Sequence, residues 1–572
     1  MISYLKFLII IAVSLSSTFF ANAQQQTIPA IDLNYFRNPL DIKLVLAGTF
    51  GEIRANHFHS GIDIKTNQRE GYPVYAVADG YISRLRVQIG GFGNAVYINH
   101  PNGITSVYGH LQKYNARLLL AMRTMQYKNQ SFTQDFMLTP IEIPVKKGDI
   151  IAWSGNTGGS AGPHLHFELR NTKTEETINA LTLGIHVPDH IRPVINGFYI
   201  YQIDQHAFNE DTKKKYFQTV GSNGNYSLNQ VNVVPVSGEI GLGIMAYDQF
   251  DGATNHNGLF STTIKLDGQI IYETVISKFS FDNTRAVNAY IDYPAKISSG
   301  RVIQKGFASP NPKVRFYNNL INDGLISLND KEIHQIEYIL KDYSGNESKL
   351  SFKIQSNGQP LKPAPISKGE LMSWKSDHRF EKDQVKVYIP DGVLYDDLDF
   401  KYAVSAQPSY GASKIYHIHD KLTPIHDVYE LGIKPDSSQS QYFDKMLIMN
   451  TETGSQGGEF KNGYVVASPK IFGNFYLRID NIAPAIIPLN VKEGVNLSQQ
   501  KSINFRISDN LSGIKSFNGY IDGRWVLFEY DYKNGKLWHN FDEKTGFGKH
   551  ELKIVVTDWK DNIKTYSINF YR

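Results

Sequence analysis

The 572-residue chain contains no cysteine. That removes disulfides, cysteine metal sites and thiol catalysis together, and it excludes a lipid-anchored lipoprotein, which needs a cysteine at its cleavage site. Charge of one sign is also lacking: 59 Lys and Arg against 55 Asp and Glu leave +4, too little to argue for nucleic acid. Beyond the first residues no apolar run is long enough to span a membrane. No H-E-x-x-H sequence occurs, so zinc proteases that carry a glutamate base on a helix are excluded.

The chain is rich instead in 34 Tyr, 32 Phe and 46 Gly, a mixture that favours strands and turns. Its length exceeds what one core can organise and calls for roughly three to five domains. Met1 to Ala23 reads as a signal peptide, with Lys6, the apolar run Leu8 to Val13 and the cleavage pattern Ala21-Asn22-Ala23. The run is short and broken by Ser14, Ser16, Ser17 and Thr18. The mature chain is therefore expected to be soluble in the periplasm or outside the cell after cleavage near Ala23.

From Leu44 to Leu183 short apolar runs alternate with glycine. Tyr72 to Val77, Ala95 to His100, Ile104 to Tyr108, Ile141 to Val145, Asp149 to Trp153 and His164 to Leu169 are expected strands, and Pro101-Asn102-Gly103 is the turn of a hairpin. Asn115 to Met125 has helix formers and neither Gly nor Pro, so 115–135 reads as a helical insertion that either walls a cleft or is a surface excursion. After His190 the texture becomes strands separated by Asn, Asp and Gly. A weak repeat pairs Asp248 to Gly252 with Asp509 to Gly513, and Asp342 to Asn346 with Asp558 to Asn562. The expected class is mainly β: an antiparallel β-sheet domain over 24–190 (core 44–180), then β-sandwich modules of immunoglobulin-like type over 191–360 and 486–572, with a β-rich module over 361–485 between them. Nothing in 190–572 names a ligand; a protein partner or a rod-like role would suit such modules.

Three motifs in the first domain bear chemistry: His59-Ser-Gly-Ile-Asp63, Tyr108-Gly-His110 and Gly162-Pro-His164-Leu-His166-Phe-Glu168. Zinc favours imidazole nitrogen and carboxylate oxygen, and a catalytic site leaves one position open. On a strand His164 and His166 emerge on one face. A His, His, Asp set can be drawn from the first and third motifs, leaving the remaining histidines for proton transfer. Glu168 shares that face and could orient an imidazole; Tyr108 is placed towards the same cleft, and the Asn156-Thr157 loop could hold a peptide through its amides. His57 repeats the H-x-H pattern, but the i to i+4 spacing to aspartate belongs to His59, so His57 is expected beside the ligands or in the cleft wall; His100 is expected to be solvated. His417-Ile-His419-Asp420 with His426-Asp427 has ligand types but no glycine-rich frame. The acidic turns at Asp248, Asp251, Asp509 and Asp522 could bind calcium, although aspartate in tight turns is ordinary.

The three motifs, with Val145-Lys-Lys-Gly148 and Ser154-Gly-Asn-Thr-Gly158 between them, resemble the lysostaphin-type (LytM-type) zinc metallopeptidases of the bacterial cell wall. The resemblance covers about 44–180, a quarter of the chain, with every element in order. It implies His59, Asp63 and His166 as ligands of one Zn2+. It makes His110 and His164 the catalytic pair, one taking a proton from the attacking water and the other steadying the oxyanion. It implies peptidoglycan stem peptides as substrate, cut at either glycine bridges or D-alanyl cross-links; export without a lipid anchor fits a Gram-negative periplasm and the directly linked wall. Some members have lost ligands and act as non-catalytic amidase activators or wall-binding scaffolds; here every ligand is present.

Overall fold

The protein, seen in a computed structural model, is described over residues 32–204, 206–359, 367 and 369–572. The expected signal peptide at 1–23 and the linker at 360–363 lie outside the described residues. Among the described residues four large hydrophobic cores follow one another, drawn from residues 36–187 with Phe250, 195–354, 372–477 and 491–570. All four are built chiefly from strands, so the chain is mainly β.

The first core is dominated by one sheet. Its strands are β1 (Leu46–Gly48), β2 (Ile62–Lys65), β3 (Gly80–Val87), β4 (Asn94–Asn99), β5 (Ile104–Gly109), β6 (Gln134–Met137) and β7 (His164–Asn171), set side by side in the order β1-β2-β7-β5-β4-β3-β6. All of these pairs are antiparallel. Successive side chains on a strand point to opposite faces. Ile62 and Ile64 of β2, Val96 and Ile98 of β4, and Leu165, Phe167 and Leu169 of β7 therefore enter the core together. Each such side chain, fully buried, contributes about 1.5–3 kcal/mol relative to exposure. The alternate residues Asp63, His164, His166 and Glu168 are left on the other face.

The turn between β4 and β5 is the expected one, with Asn99 opposite Thr105. Gly103 sits at φ 79°, a left-handed conformation that a Cβ disfavours. The expected strand at 141–145 is reduced to Pro144–Val145, because Glu142 closes a turn onto the Thr139 carbonyl at 3.2 Å. The insertion forms α1 (Ala116–Asn129), capped by the Asn115 side chain, which accepts from the Leu118 amide. Leu118 and Met122 join the core, and the chain returns as β6 to extend the sheet beyond β3.

The second core lies between two sheets. One has Val194–Gln202 and Glu239–Tyr247 at its centre, and the other is built around Ile333–Lys341 and Glu347–Ser356. The fourth core likewise separates a four-stranded from a five-stranded sheet, and the third lies chiefly between two five-stranded sheets. The first and second cores are joined. Thr177–Ile178 pairs with Lys278–Phe279, and Phe50 and Phe58, from the loop before β2, are buried with Phe279, Tyr290 and Phe316. Phe58 has no exposed surface.

Candidate active site and metal centre

Strand register builds the site. Asp63 on β2 lies directly opposite His166 on β7, and Gly109 at the end of β5 lies opposite His166 on its other side. The chain then leaves the strand through His110 at φ 58°, a left-handed conformation uncommon for a residue with a Cβ. His59 approaches from the loop before β2. Gly61 permits that approach, since a Cβ there would stand 2.4 Å from the Phe167 carbonyl oxygen.

Three donor atoms converge. His59 Nε2 is 3.1 Å from Asp63 Oδ1, His166 Nδ1 is 2.9 Å from the same oxygen, and the two nitrogens are 3.2 Å apart. Atoms bound tetrahedrally to one zinc at about 2.0–2.2 Å stand about 3.3–3.6 Å from each other, so the three residues fit such an ion with a small outward adjustment. All three are buried. His164 Nε2 lies 3.3 Å from Asp63 Oδ1, and the rings of His164 and His110 are 4.8 Å apart between centroids. The structure thus brings His59, Asp63, His166, His164 and His110 to one place.

The other nitrogen of each ring is committed elsewhere. His59 Nδ1 meets the Thr49 carbonyl, His110 Nδ1 the Thr157 carbonyl and His164 Nδ1 the Gly162 carbonyl, each at 2.8 Å. A carbonyl only accepts, so these Nδ1 atoms carry the hydrogen and each Nε2 turns a lone pair inward. In His166 the roles are exchanged: Nε2 donates to Glu168 Oε1 at 2.8 Å, which frees Nδ1 for the cluster.

Electrostatics point the same way. Burial would lower the His166 pKa, yet Asp63 and Glu168 outweigh it and push the group up to about 9. Buried carboxylates in contact with the ring thus demand positive charge, and a bound cation meets the demand as a proton does. Burial would raise Glu168, but Arg170 and His166 hold it down to about 2. Asp63 stays well below the usual carboxylate range against its burial, chiefly through His59. Its second oxygen receives Arg54 Nη2 at 2.9 Å. Burial first, then His166 and His164, push His110 down to about 3, so its ring is neutral at neutral pH.

Sequence comparison decides the family of this region: residues 57–120 match the profile described as Peptidase family M23. The first core is an M23 peptidase domain. The DD-carboxypeptidase/endopeptidase Mpg of Neisseria meningitidis serogroup B is 33% identical over 131 residues, 23% of this chain and 24% of its own. An uncharacterised metalloprotease of Haemophilus influenzae is 36% identical over 127 residues, 22% of this chain and 21% of its own. The match therefore spans about a quarter of the length of these relatives. The solved catalytic domain of the antimicrobial peptidase lysostaphin from Staphylococcus simulans is 24% identical, covers 26% of this chain and 92% of its own, and has a TM-score of 0.17. Residues 369–480, which hold the third core, match a Zu5-like domain.

Two sequence expectations need correction around the M23 site. Tyr108 does not face the cleft: it is fully buried in the core against Phe167, and its hydroxyl accepts from the Val77 amide. His100 is not solvated but buried, with Nδ1 at the Asp79 carbonyl and Nε2 at Ser106 Oγ, both 2.8 Å. His57 is exposed and outside the donor cluster. His417, His419 and His426 are held apart by Asn474, Thr423 and Tyr395, and they form no shared donor group among the described residues. Thr49, Arg54 and Phe92, which stacks on His166 at 4.9 Å, escaped the sequence reading, as did the contact of Thr157 with His110. Two act through backbone carbonyls, which no side-chain motif reveals.

Proposed function

We propose that the protein is an exported zinc metalloendopeptidase that hydrolyses peptide cross-links of bacterial peptidoglycan. The observation that carries this reading is the convergence of His59 Nε2, Asp63 Oδ1 and His166 Nδ1 within 3.2 Å of one another, beside two further imidazoles with inward lone pairs. His59, Asp63 and His166 would hold a zinc ion, which when bound supplies Lewis acidity towards a water and a scissile carbonyl. Of the pair at the open side, one Nε2 takes the proton of the attacking water. The other, once protonated, donates to the oxygen that gains charge or to the departing amine. Glu168, fixed by Ser60 and by Arg170 at 2.6 Å each, keeps His166 turned with Nδ1 inward.

Peptidoglycan stem peptides are the substrate this reading assigns. The likeness to the DD-carboxypeptidase/endopeptidase of Neisseria favours a D,D-peptide bond, which suits a directly cross-linked wall, and Met1 to Ala23 favours export. Digestion of purified peptidoglycan by the full-length protein, followed by mass spectrometry of the released fragments, tests the proposal. Expected are fragments with newly freed peptide termini, release stopped by a zinc chelator and restored by added zinc. New glycan ends, or no release by zinc-loaded protein, would overturn it.

A further inference from the structure

Outside the M23 site, two groups of acidic side chains occupy equivalent places in the second and fourth cores. Asp189 precedes the strand Val194–Gln202, Asp248 follows Glu239–Tyr247 and Asp342 follows Ile333–Lys341. Asp480 precedes Ala485–Pro488, Asp509 follows Ser502–Ser508 and Asp558 ends Lys549–Asp558. In each triad one oxygen from every carboxylate lies within 4.8 Å of the others. The local sequences match as well: Asp189-His-Ile-Arg-Pro193 with Asp480-Asn-Ile-Ala-Pro484, and an asparagine four residues after the last aspartate in both. Asn346 donates through Nδ2 to Asp342 Oδ2 at 2.7 Å and to the Asp189 carbonyl at 3.3 Å. Asn562 does the same to Asp558 Oδ2 at 2.8 Å and the Asp480 carbonyl at 2.9 Å.

Clustered aspartates in turns are ordinary, but carboxylate oxygens sealed from water with nothing to accept are not. Asp248 is 1% exposed and its Oδ1 has no hydrogen-bond partner. Asp189 is 7% exposed; its Oδ1 accepts from the Ile191 amide, while Oδ2 meets no donor and the side chain faces the Asp342 carboxyl group within hydrogen-bonding reach. In the second triad Asp509 is half-buried; it uses Oδ2 for the amides of Leu511 and Gly513, and only its Oδ1 is shielded from water and without a partner. An unpaired buried carboxylate costs several kcal/mol unless a proton or a cation neutralises it. Burial first, then the charges of Asp189 and Asp342, push Asp248 up to about 9, so the group as it stands lacks positive charge.

We propose that each of these two modules binds a calcium ion, through Asp189, Asp248 and Asp342 in the first and through Asp480, Asp509 and Asp558 in the second. The donor set is all oxygen, which selects a hard divalent cation over zinc or copper. Calcium holds oxygens at about 2.3–2.6 Å, so ligands across the ion stand up to about 5 Å apart; magnesium would require a tighter octahedron. In both triads one aspartate belongs to the segment entering the module and two belong to strand ends. The ion ties that entrance to the head of the sandwich. For the first triad the entrance is the connection from the M23 domain, so calcium fixes how the peptidase sits on the module that follows it.

Calorimetric titration of the zinc-saturated full-length protein with CaCl2 in chelator-treated buffer tests the inference. Zinc saturation removes the M23 cluster as a competing site. Expected are two calcium sites per chain, one lost in Asp248→Asn, one in Asp509→Asn and both in the double variant. A rise in Tm of about 5–10 °C is expected at a hundredfold excess over Kd. Far-UV circular dichroism and zinc content identify any variant that fails to fold, and the wild-type titration is decisive without variants. Absence of both heat and Tm shift in wild type up to about 10 mM calcium, beyond the range of weak extracellular modules, would overturn the proposal. Binding unchanged in both single variants would overturn it equally. A single site lost only in Asp248→Asn would overturn the half that concerns the last module.

Discussion

His110 shows how much of the proposed chemistry rests on one ring. Its Nδ1 is occupied by the Thr157 carbonyl at 2.8 Å, so only Nε2 is free to exchange a proton. It does not belong to the three-residue donor cluster. His110→Ala is therefore expected to keep its zinc and lose about 10²–10⁴-fold in turnover, read from zinc content and initial rate on the same sample. Wild-type turnover would remove it from the mechanism. His100 makes a different expectation. Burial pushes it from 6.5 down to about 4, so between these values the folded protein binds fewer protons than the unfolded chain. The stability this represents is present above pH 6.5 and lost as pH falls towards 4, up to about 3 kcal/mol at 1.36 kcal/mol per unit. Tm measured against pH should fall over that window, and less steeply in His100→Gln; equal slopes would clear His100 of the effect. At this scale the sequence was legible where side chains share a motif, as with His166 and Glu168. It misled at His100, whose partners are a carbonyl and a serine brought in by folding.

Elements bring together what motifs leave apart. The alternation rule put the core and site faces of β7 correctly, since Leu165, Phe167 and Leu169 are buried in the core while His164 and His166 reach Asp63. Tyr108 does not share the cleft with His110, because the strand ends at Gly109 and His110 turns away at φ 58°. The insertion was readable as helix but not in its role. It is capped by Asn115 and presents Tyr127 to Trp525, Arg123 to Glu529 and the following Phe132 to Phe517 of the last module. The loop carrying His59 depends on a second module in the same manner, for Phe58 is packed among Phe279, Tyr290 and Phe316. Phe279→Ala should cost about 3–5 kcal/mol of stability and weaken zinc binding, although Phe279 lies more than a hundred residues beyond the last motif. Thermal melting and a chelator competition would check it. Unchanged zinc affinity would show that the joint does not organise the His59 loop.

The whole molecule is more tightly joined than its sequence implies. Residues 24–190 hold every motif, which invites the expectation of a self-contained peptidase. Yet its sheet is extended by Lys278–Phe279, Phe250 completes its core, and Lys533 of the last module donates to the Asn156 and Ser160 carbonyls of the glycine-rich loop. Such contacts join residues hundreds of positions apart and leave no periodic signal. The mainly β class, by contrast, was written in the turns, because Asn, Asp and Gly recur between short apolar runs throughout. The central claim is that His59, Asp63 and His166 hold one zinc ion on which hydrolysis depends. It is tested most directly by measuring zinc content and the rate of peptide release from peptidoglycan together, in full-length wild type and Asp63→Asn. One zinc per chain with activity in the wild type, and joint loss of both in the variant, is the expected result. Full zinc occupancy in Asp63→Asn, or undiminished digestion by zinc-free wild type, would contradict the account.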